Sequence, residues 1–377
     1  MKLYSFTIIF LLIFIIAGGA FIVGNFEFIR KIPAMFLNTF DSDKEIVKTN
    51  KRLSANPVKG IYSTIWTARS KRIDDLIKIA DETEINAIII DVKDSDVYID
   101  DYVKNLVIEL HKKNIYAIAR VVVFADNSQI NIHPDWYFKK SDGSLWVDNR
   151  GWYWMDPTNH EVWSYNVAAA KEAIGAGFDE LNFDYIRYPS FKKDDDVVFT
   201  PVLKSQTIND FVHYLNSELK KYDQGITLSV DLFAYNMLNG SDLGVGQKFT
   251  DLYDYFDYVS PMIYPSHYIS GNFGFDNPAD YPYEVVLMTI EKGKKQLWEK
   301  SIAEIGTSTP VIVNPIFEKR LKKLRPWLQD FNIGAVYDSE MIRKEIQAVY
   351  DSGLTSGWLL WNPRNVYTEE ALDKISN

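Results

Sequence analysis

From Val58 onward, short apolar runs alternate with stretches of helical period. Residues 58–66 predict a first strand. Residues 70–82 predict a helix, because Ile73, Leu76, Ile77 and Ala80 fall on one face. The next run, 86–92, holds Ala87, Ile88, Ile89 and Ile90 without a break, the pattern of a strand buried on both faces of a parallel sheet. A helix over 101–113, aligning Val103, Leu106, Val107 and Leu110, precedes a strand over 115–124. A helix over 161–176 has Gly177 placed to end it. Strands follow at 179–186, 226–234 and 257–264, with a helix at 202–221 between the first two and a long helix at 282–300 after the third. The last helix is 341–352, closed by Gly353, and the last strand is 357–362. For the seventh strand, periodicity selects 310–316, with 326–331 as the competing segment.

Such alternation gives either an open doubly wound sheet or a barrel. No Gly-x-Gly-x-x-Gly follows the first strand, so the dinucleotide-binding version lacks its fingerprint. The count of eight strands favours a (β/α)8 TIM barrel over residues 58–377.

Ahead of the barrel, Lys2 precedes an apolar run over residues 3–24, broken only by Tyr4, Ser5 and Thr7. Its length suits a single transmembrane helix, roughly 20 residues, better than a signal-peptide core of about 7–15. Cleavage near Ala17, Gly18, Gly19 and Ala20, or a buried helix, are the alternatives. Lys2 before the run and Arg30 and Lys31 after it leave the flanking charges nearly balanced. The expectation is residues 1–25 as an anchor in the cell membrane, 26–57 as a tether ending at Asn56-Pro57, and an extracytoplasmic barrel.

The formal net charge is −10, which argues against nucleic acid as a partner. The chain has no cysteine, which excludes disulfides, thiolate catalysis and cysteine-held metals or clusters. Aromatic residues make up 15%, including 10 Trp and 23 Tyr. A large core accounts for that, and so does a sugar cleft, where flat pyranose faces pack on rings. The stretch 125–160 is too long for an ordinary βα loop and carries Trp136, Tyr137, Trp146, Trp152, Tyr153 and Trp154. These rings predict a mini-core, or a cleft lining with Trp154 on substrate, or both.

Polar residues at strand ends predict a site at the C-terminal mouth of the barrel. Strand two ends on Asp91 and Lys93, strand three carries Arg120, and strand four ends on Asp184, Tyr185 and Arg187. Strand five carries Asp231, strand six ends on Tyr264 with His267 just beyond, and strand eight ends on Trp361 and Asn362. A carboxylate in an apolar strand is costly to bury unless paired, so one bland account is a structural ion pair of Asp184 with Arg120 or Arg187. Paired carboxylates without metal or cofactor also perform glycoside hydrolysis. Asp184, beside Arg187, suits the nucleophile, and Asp231, in its apolar strand, suits the acid. None of the five histidines pairs at metal-ligand spacing, His111 and His213 read as surface positions, and neither a Gly-x-Ser-x-Gly elbow nor a Walker loop is present. No metal or other cofactor is therefore expected.

Four motifs carry a family resemblance: 183–189 (FDYIRYP), 260–268 (SPMIYPSHY), 325–331 (RPWLQDF) and 357–363 (GWLLWNP). With 90–94 (IDVKD) and 133–136 (HPDW), they resemble a bacterial family of glycoside hydrolases with an alpha-amylase-like TIM barrel, from Val58 to Tyr367. The resemblance implies Asp184 in the nucleophile position and a seventh strand at residues 326–329, bringing Trp327 and Gln329 to the site. Residues 302–320 then form an extension before that strand. Where amylase-type barrels place an acidic glutamate, the fifth strand offers Asp231, followed by Leu232-Phe233-Ala234. The leading expectation is a hydrolase of an envelope or extracellular polysaccharide. A non-catalytic carbohydrate-binding barrel is the second reading, and a metal-dependent phosphodiesterase or deacetylase the third.

Overall fold

Eight parallel strands close into a barrel in simple chain order in a computed structural model, which describes residues 52–55, 57–198, 200–305 and 314–375. The strands are β1 (Val58–Ser63), β2 (Ala87–Lys93), β3 (Tyr116–Val122), β4 (Glu180–Asp184), β5 (Thr227–Phe233), β6 (Tyr258–Met262), β7 (Trp327–Gln329) and β8 (Gly357–Trp361). The principal helices are α1 (Ile73–Glu82), α2 (Asp101–Lys112), α3 (His160–Gly175), α4 (Lys204–Tyr222), α5 (Pro282–Ile305), α6 (Pro315–Leu321) and α7 (Ser339–Asp351). The TIM-barrel expectation therefore holds. Two short helices, Tyr235–Asn239 and Phe249–Leu252, occupy the crossover after β5.

Local chemistry explains the element ends. Asp100 and Asp338 cap α2 and α7 through side-chain acceptors for Val103 N and Met341 N. Gly177, at φ +96°, takes the left-handed turn predicted after α3. Gly357 sits where β8 joins β1. A Cβ there would lie 1.8 Å from Val58 O at φ +88°, so glycine lets the two backbones meet and the barrel close.

The seventh strand is the short segment at Trp327, not the one periodicity selects. Pro315 and Ile316 open α6, with Asn314 as its cap, while residues 310–313 lie outside the described residues. β7 contacts β6 through one pair, Met262 with Trp327, and runs for three pairs beside β8.

Alternation along the strands sends one face outward to the helices and the other into the barrel. The inner face builds a cluster that includes Val58, Ala87, Ile89, Tyr116, Ile118 and Leu359. Below it, Glu180 and Arg325 form a fully buried bidentate pair. Ser229 Oγ donates to Glu180 at 2.5 Å, and Tyr258 lies 4.3 Å beneath the Arg325 guanidinium. Segment 52–55 packs on this N-terminal end. Leu53 and Ala55 lie against the inner cluster, Leu53 N donates to Asp179 at 2.7 Å, and Arg52 pairs with Asp223 at 2.6 Å. His111, expected at the surface, also reaches Asp179, at 2.8 Å.

The predicted anchor, residues 1–25, and most of the predicted tether lie outside the described residues. Among the described residues, no helix is long and apolar enough to cross a membrane.

Candidate active site at the barrel mouth

The register of β4 and β5 sets Phe183 opposite Val230. Asp184 and Asp231, the next residues on each strand, thus come side by side at the C-terminal mouth. Asp91 faces Arg120 across β2 and β3, and Val122 faces Asp184 across β3 and β4. Alternation then points Asp91, Arg120, Asp184 and Asp231 into one space.

Arg120 bridges two of the acids. Nη1 donates to Asp91 at 2.5 Å, and Nη2 donates to Asp184 Oδ2. Burial works against its charge, but Asp91 and Asp184 outweigh that and raise its pKa well above the ordinary value. Asp91 also accepts from Tyr62 Oη, and burial holds its own carboxyl above the usual range against the pull of Arg120. The second oxygen of Asp184 accepts from Tyr185 N at 2.6 Å. Tyr185 supplies that bond from a left-handed backbone, φ +55°, a conformation costing a non-glycine residue roughly 1–3 kcal/mol. Strain of this kind concentrates where a functional group must be aimed.

Asp231 is held differently. It is 2% exposed and no cation pairs with it among the described residues. Two neutral donors, Asn182 Nδ2 at 2.8 Å and Trp327 Nε1 at 2.7 Å, both reach Oδ1. Burial first, and then the neighbouring Asp184 charge, push the carboxyl up to about 8, against the opposing pull of Arg120 and the two donors. At neutral pH it carries a proton. The mouth therefore sets a carboxylate ion-paired with Arg120 beside a carboxylic acid, the division of labour that acid-assisted bond cleavage needs.

Aromatic rings line the rim beyond the acids. Tyr264 and Trp361 stack at 5.3 Å, and Phe331 meets both edge-on. Trp361 is half-buried, so part of its surface stays open. His267 is exposed beside Tyr264 and Phe331. On the other side, Trp152 and Trp154 pack on Tyr185 at 5.9 and 5.7 Å. The loop over 125–160 builds the expected mini-core. Trp136, Tyr137, Phe138, Trp146 and Trp154 are buried in it, so Trp154, expected on substrate, is instead sealed with its Nε1 donating to Asp148 at 3.1 Å, while half-buried Trp152 packs on Tyr185.

Other predicted positions are engaged elsewhere. Lys93 points out of the barrel, because the β2–β3 register shifts between Asp91 and Lys93. It is fully buried, pairs with Asp126 and donates to Val122 O at 2.6 Å. Gln329 is also sealed, accepting from Ser266 N at 3.2 Å and donating to Phe331 O at 2.9 Å. Asn362 ties the loop after β8 through Asp330 O, Val366 O and Arg364 N. Arg187 forms no ion pair with Asp184; Arg120 takes that role, and Arg187 sits among rings instead. Tyr62 and Asn182 belong to the site and were not predicted. Strand alternation was the available signal, since it places Asn182 on the face of Asp184.

Among the described residues, no three His, Asp or Glu side chains converge as a metal-ligand set. No curated protein matches the chain. Among solved structures, a hypothetical protein from Ruminiclostridium thermocellum is 34% identical over 45% of this chain and 96% of its own, with a TM-score of 0.41. The spore cortex-lytic enzyme of Bacillus megaterium is 12% identical over 86% of this chain and 73% of its own, with a TM-score of 0.50, a likeness of fold alone. An alpha-galactosidase from Thermus thermophilus is 12% identical, with a TM-score of 0.48, over 87% of this chain and 63% of its own. Over residues 60–367 the sequence matches the family described as "Putative glycosyl hydrolase domain", and the chain belongs to that family.

Proposed function

We propose that the protein hydrolyses glycosidic bonds in an envelope or extracellular polysaccharide, with Asp231 as the acid and Asp184 as the carboxylate that meets the anomeric carbon. The observation that carries this reading is the unequal pair in one mouth: Asp184 bonded to Arg120, and Asp231 buried with its carboxyl pushed up to about 8. Asn182 and Trp327 both occupy Oδ1 of Asp231, so its proton rides on Oδ2. That proton passes to the leaving glycosidic oxygen as the bond to the anomeric carbon breaks. Asp184 attacks that carbon or directs water at it, and the positive charge developing on the sugar ring is stabilised by the carboxylate. Trp361, partly open and backed by the buried Tyr264 ring, provides the platform for the sugar.

The apolar run over residues 3–24 completes the proposal as a membrane anchor holding the barrel on the extracytoplasmic side. Protease protection of the barrel in sealed spheroplasts would contradict that placement. For the chemistry, reducing-end release by the full chain is measured on a polysaccharide panel. Release by wild type, reduced about 10³-fold or more in Asp184→Asn, is expected from removal of a group that meets the reacting carbon. Equal release by the variant refutes the assignment. Saturable binding without any turnover identifies a non-catalytic carbohydrate-binding barrel instead, and loss of activity with chelator points to a metal-dependent hydrolase.

A further inference from the structure

Arg187 is a buried cation whose surroundings, among the described residues, give it rings but no ion pair. It is 8% exposed, and its guanidinium lies 4.6 Å from the Phe233 ring, 4.7 Å from Trp154 and 5.0 Å from Tyr185. Its hydrogen bond within the described residues runs from Nη1 to Tyr188 O at 3.0 Å. Nε and Nη2 have no partner there, yet neither is sealed from solvent. Two carboxylates are near enough for their charges to reach it, and both are already satisfied. Asp184 holds Arg120 and Tyr185 N; Asp148 accepts from Arg150 N, Trp152 N and Trp154 Nε1. Burial lowers the Arg187 pKa, the mark of a cation short of opposite charge.

Position gives this feature its meaning. Tyr185 comes directly after Asp184, the last residue of β4, and Phe233 ends the strand that carries Asp231, so the cage stands on the rim above both acids. A second cation joins it: exposed Arg150 lies 5.7 Å over the Trp152 ring, and Trp152 packs on Tyr185. A planar guanidinium locked by three rings is pre-organised for a forked bond to a carboxylate or phosphate. The chain as a whole is acidic, at −10, so this rim does not draw polyanions from a distance. It selects at contact.

We infer that the cleft takes a glycan bearing an anionic group, carboxylate or phosphate, which seats on Arg187 beside the scissile bond. The inference rests on reading the mouth as a sugar cleft. Binding to the full chain carrying Asp184→Asn, which prevents turnover, tests it. Oligogalacturonides are compared with galacto-oligosaccharides, and 6-phosphorylated with unmodified gluco-oligosaccharides. The charged member of at least one pair is expected to bind about tenfold more tightly, the worth of one charge-assisted contact, and the pair that responds names the anion. Adding Arg187→Met brings that ratio close to one, and Arg187→Lys retains part of it. Equal affinity for charged and neutral members, or a ratio unmoved by Arg187→Met, overturns this inference and leaves the sugar cleft standing. No binding across the panel defeats the sugar cleft and this inference together. If Arg187→Met does not fold, the wild-type-cage ratio alone decides.

Discussion

Replacing Asp231 with asparagine should stabilise the protein in alkali while abolishing its proposed acid. In the folded protein, burial and the charge of Asp184 push this carboxyl from 3.8 to about 8. Its raised folded value means that folding favours the protonated form. That contribution is fully present below pH ~4, shrinks as pH rises, and is gone above about 8. One pKa unit corresponds to about 1.4 kcal/mol, so ionising Asp231 in place takes on the order of 6 kcal/mol from the folded state. Asparagine resembles the neutral acid: its oxygen accepts from Asn182 and Trp327 as Oδ1 does now. It never ionises. Urea unfolding of wild type and Asp231→Asn at intervals from pH 5 to 9.5 gives the comparison. The variant's advantage should grow with pH and level off above about 8. An advantage that stays constant across that range, or a variant destabilised most at pH 9, refutes the argument that burial holds this proton.

Three further substitutions probe the same architecture. Trp327→Phe removes a donor that favours the charged form of Asp231, so the alkaline limb of activity should move upward by roughly half to one pH unit, read from rates against pH. Glu180→Ala strands Arg325 at the barrel base and should cost about 3–5 kcal/mol in chemical denaturation. Gly357→Ala forces a Cβ into Val58 O at a positive φ; a loss of at least about 3 kcal/mol is expected, and a variant of wild-type Tm would contradict the closure argument.

Most strands were legible because a barrel buries each of them on both faces, leaving continuous apolar runs such as Ala87 to Ile90. β7 was not, since three residues are too few to carry a period, and the family motif around Trp327 located it instead. Strand-end chemistry named Asp184, Asp231, Asp91 and Arg120, which the register does bring together. Simple alternation misled at Lys93, because a one-residue shift after Asp91 turns the next side chain outward to Asp126. Gln329 and Asn362 show another limit: a polar residue at a strand end satisfies a loop backbone as readily as it meets a ligand. The sequence left Arg120 and Arg187 as alternative partners of Asp184, and the neighbouring strand supplies the pair through Arg120. Pairing across strands is a property of the register, and one strand's sequence does not contain it.

The rate of glycan hydrolysis against pH tests the central claim most directly, namely that Asp231 delivers a proton kept in place by burial. For wild type, the rate should fall above about pH 8 as Asp231 ionises, and Asp231→Asn should be inactive on a substrate with a poor leaving group across the whole range. Full wild-type activity at pH 10, or an Asp231→Asn variant that keeps the wild-type profile, would contradict it.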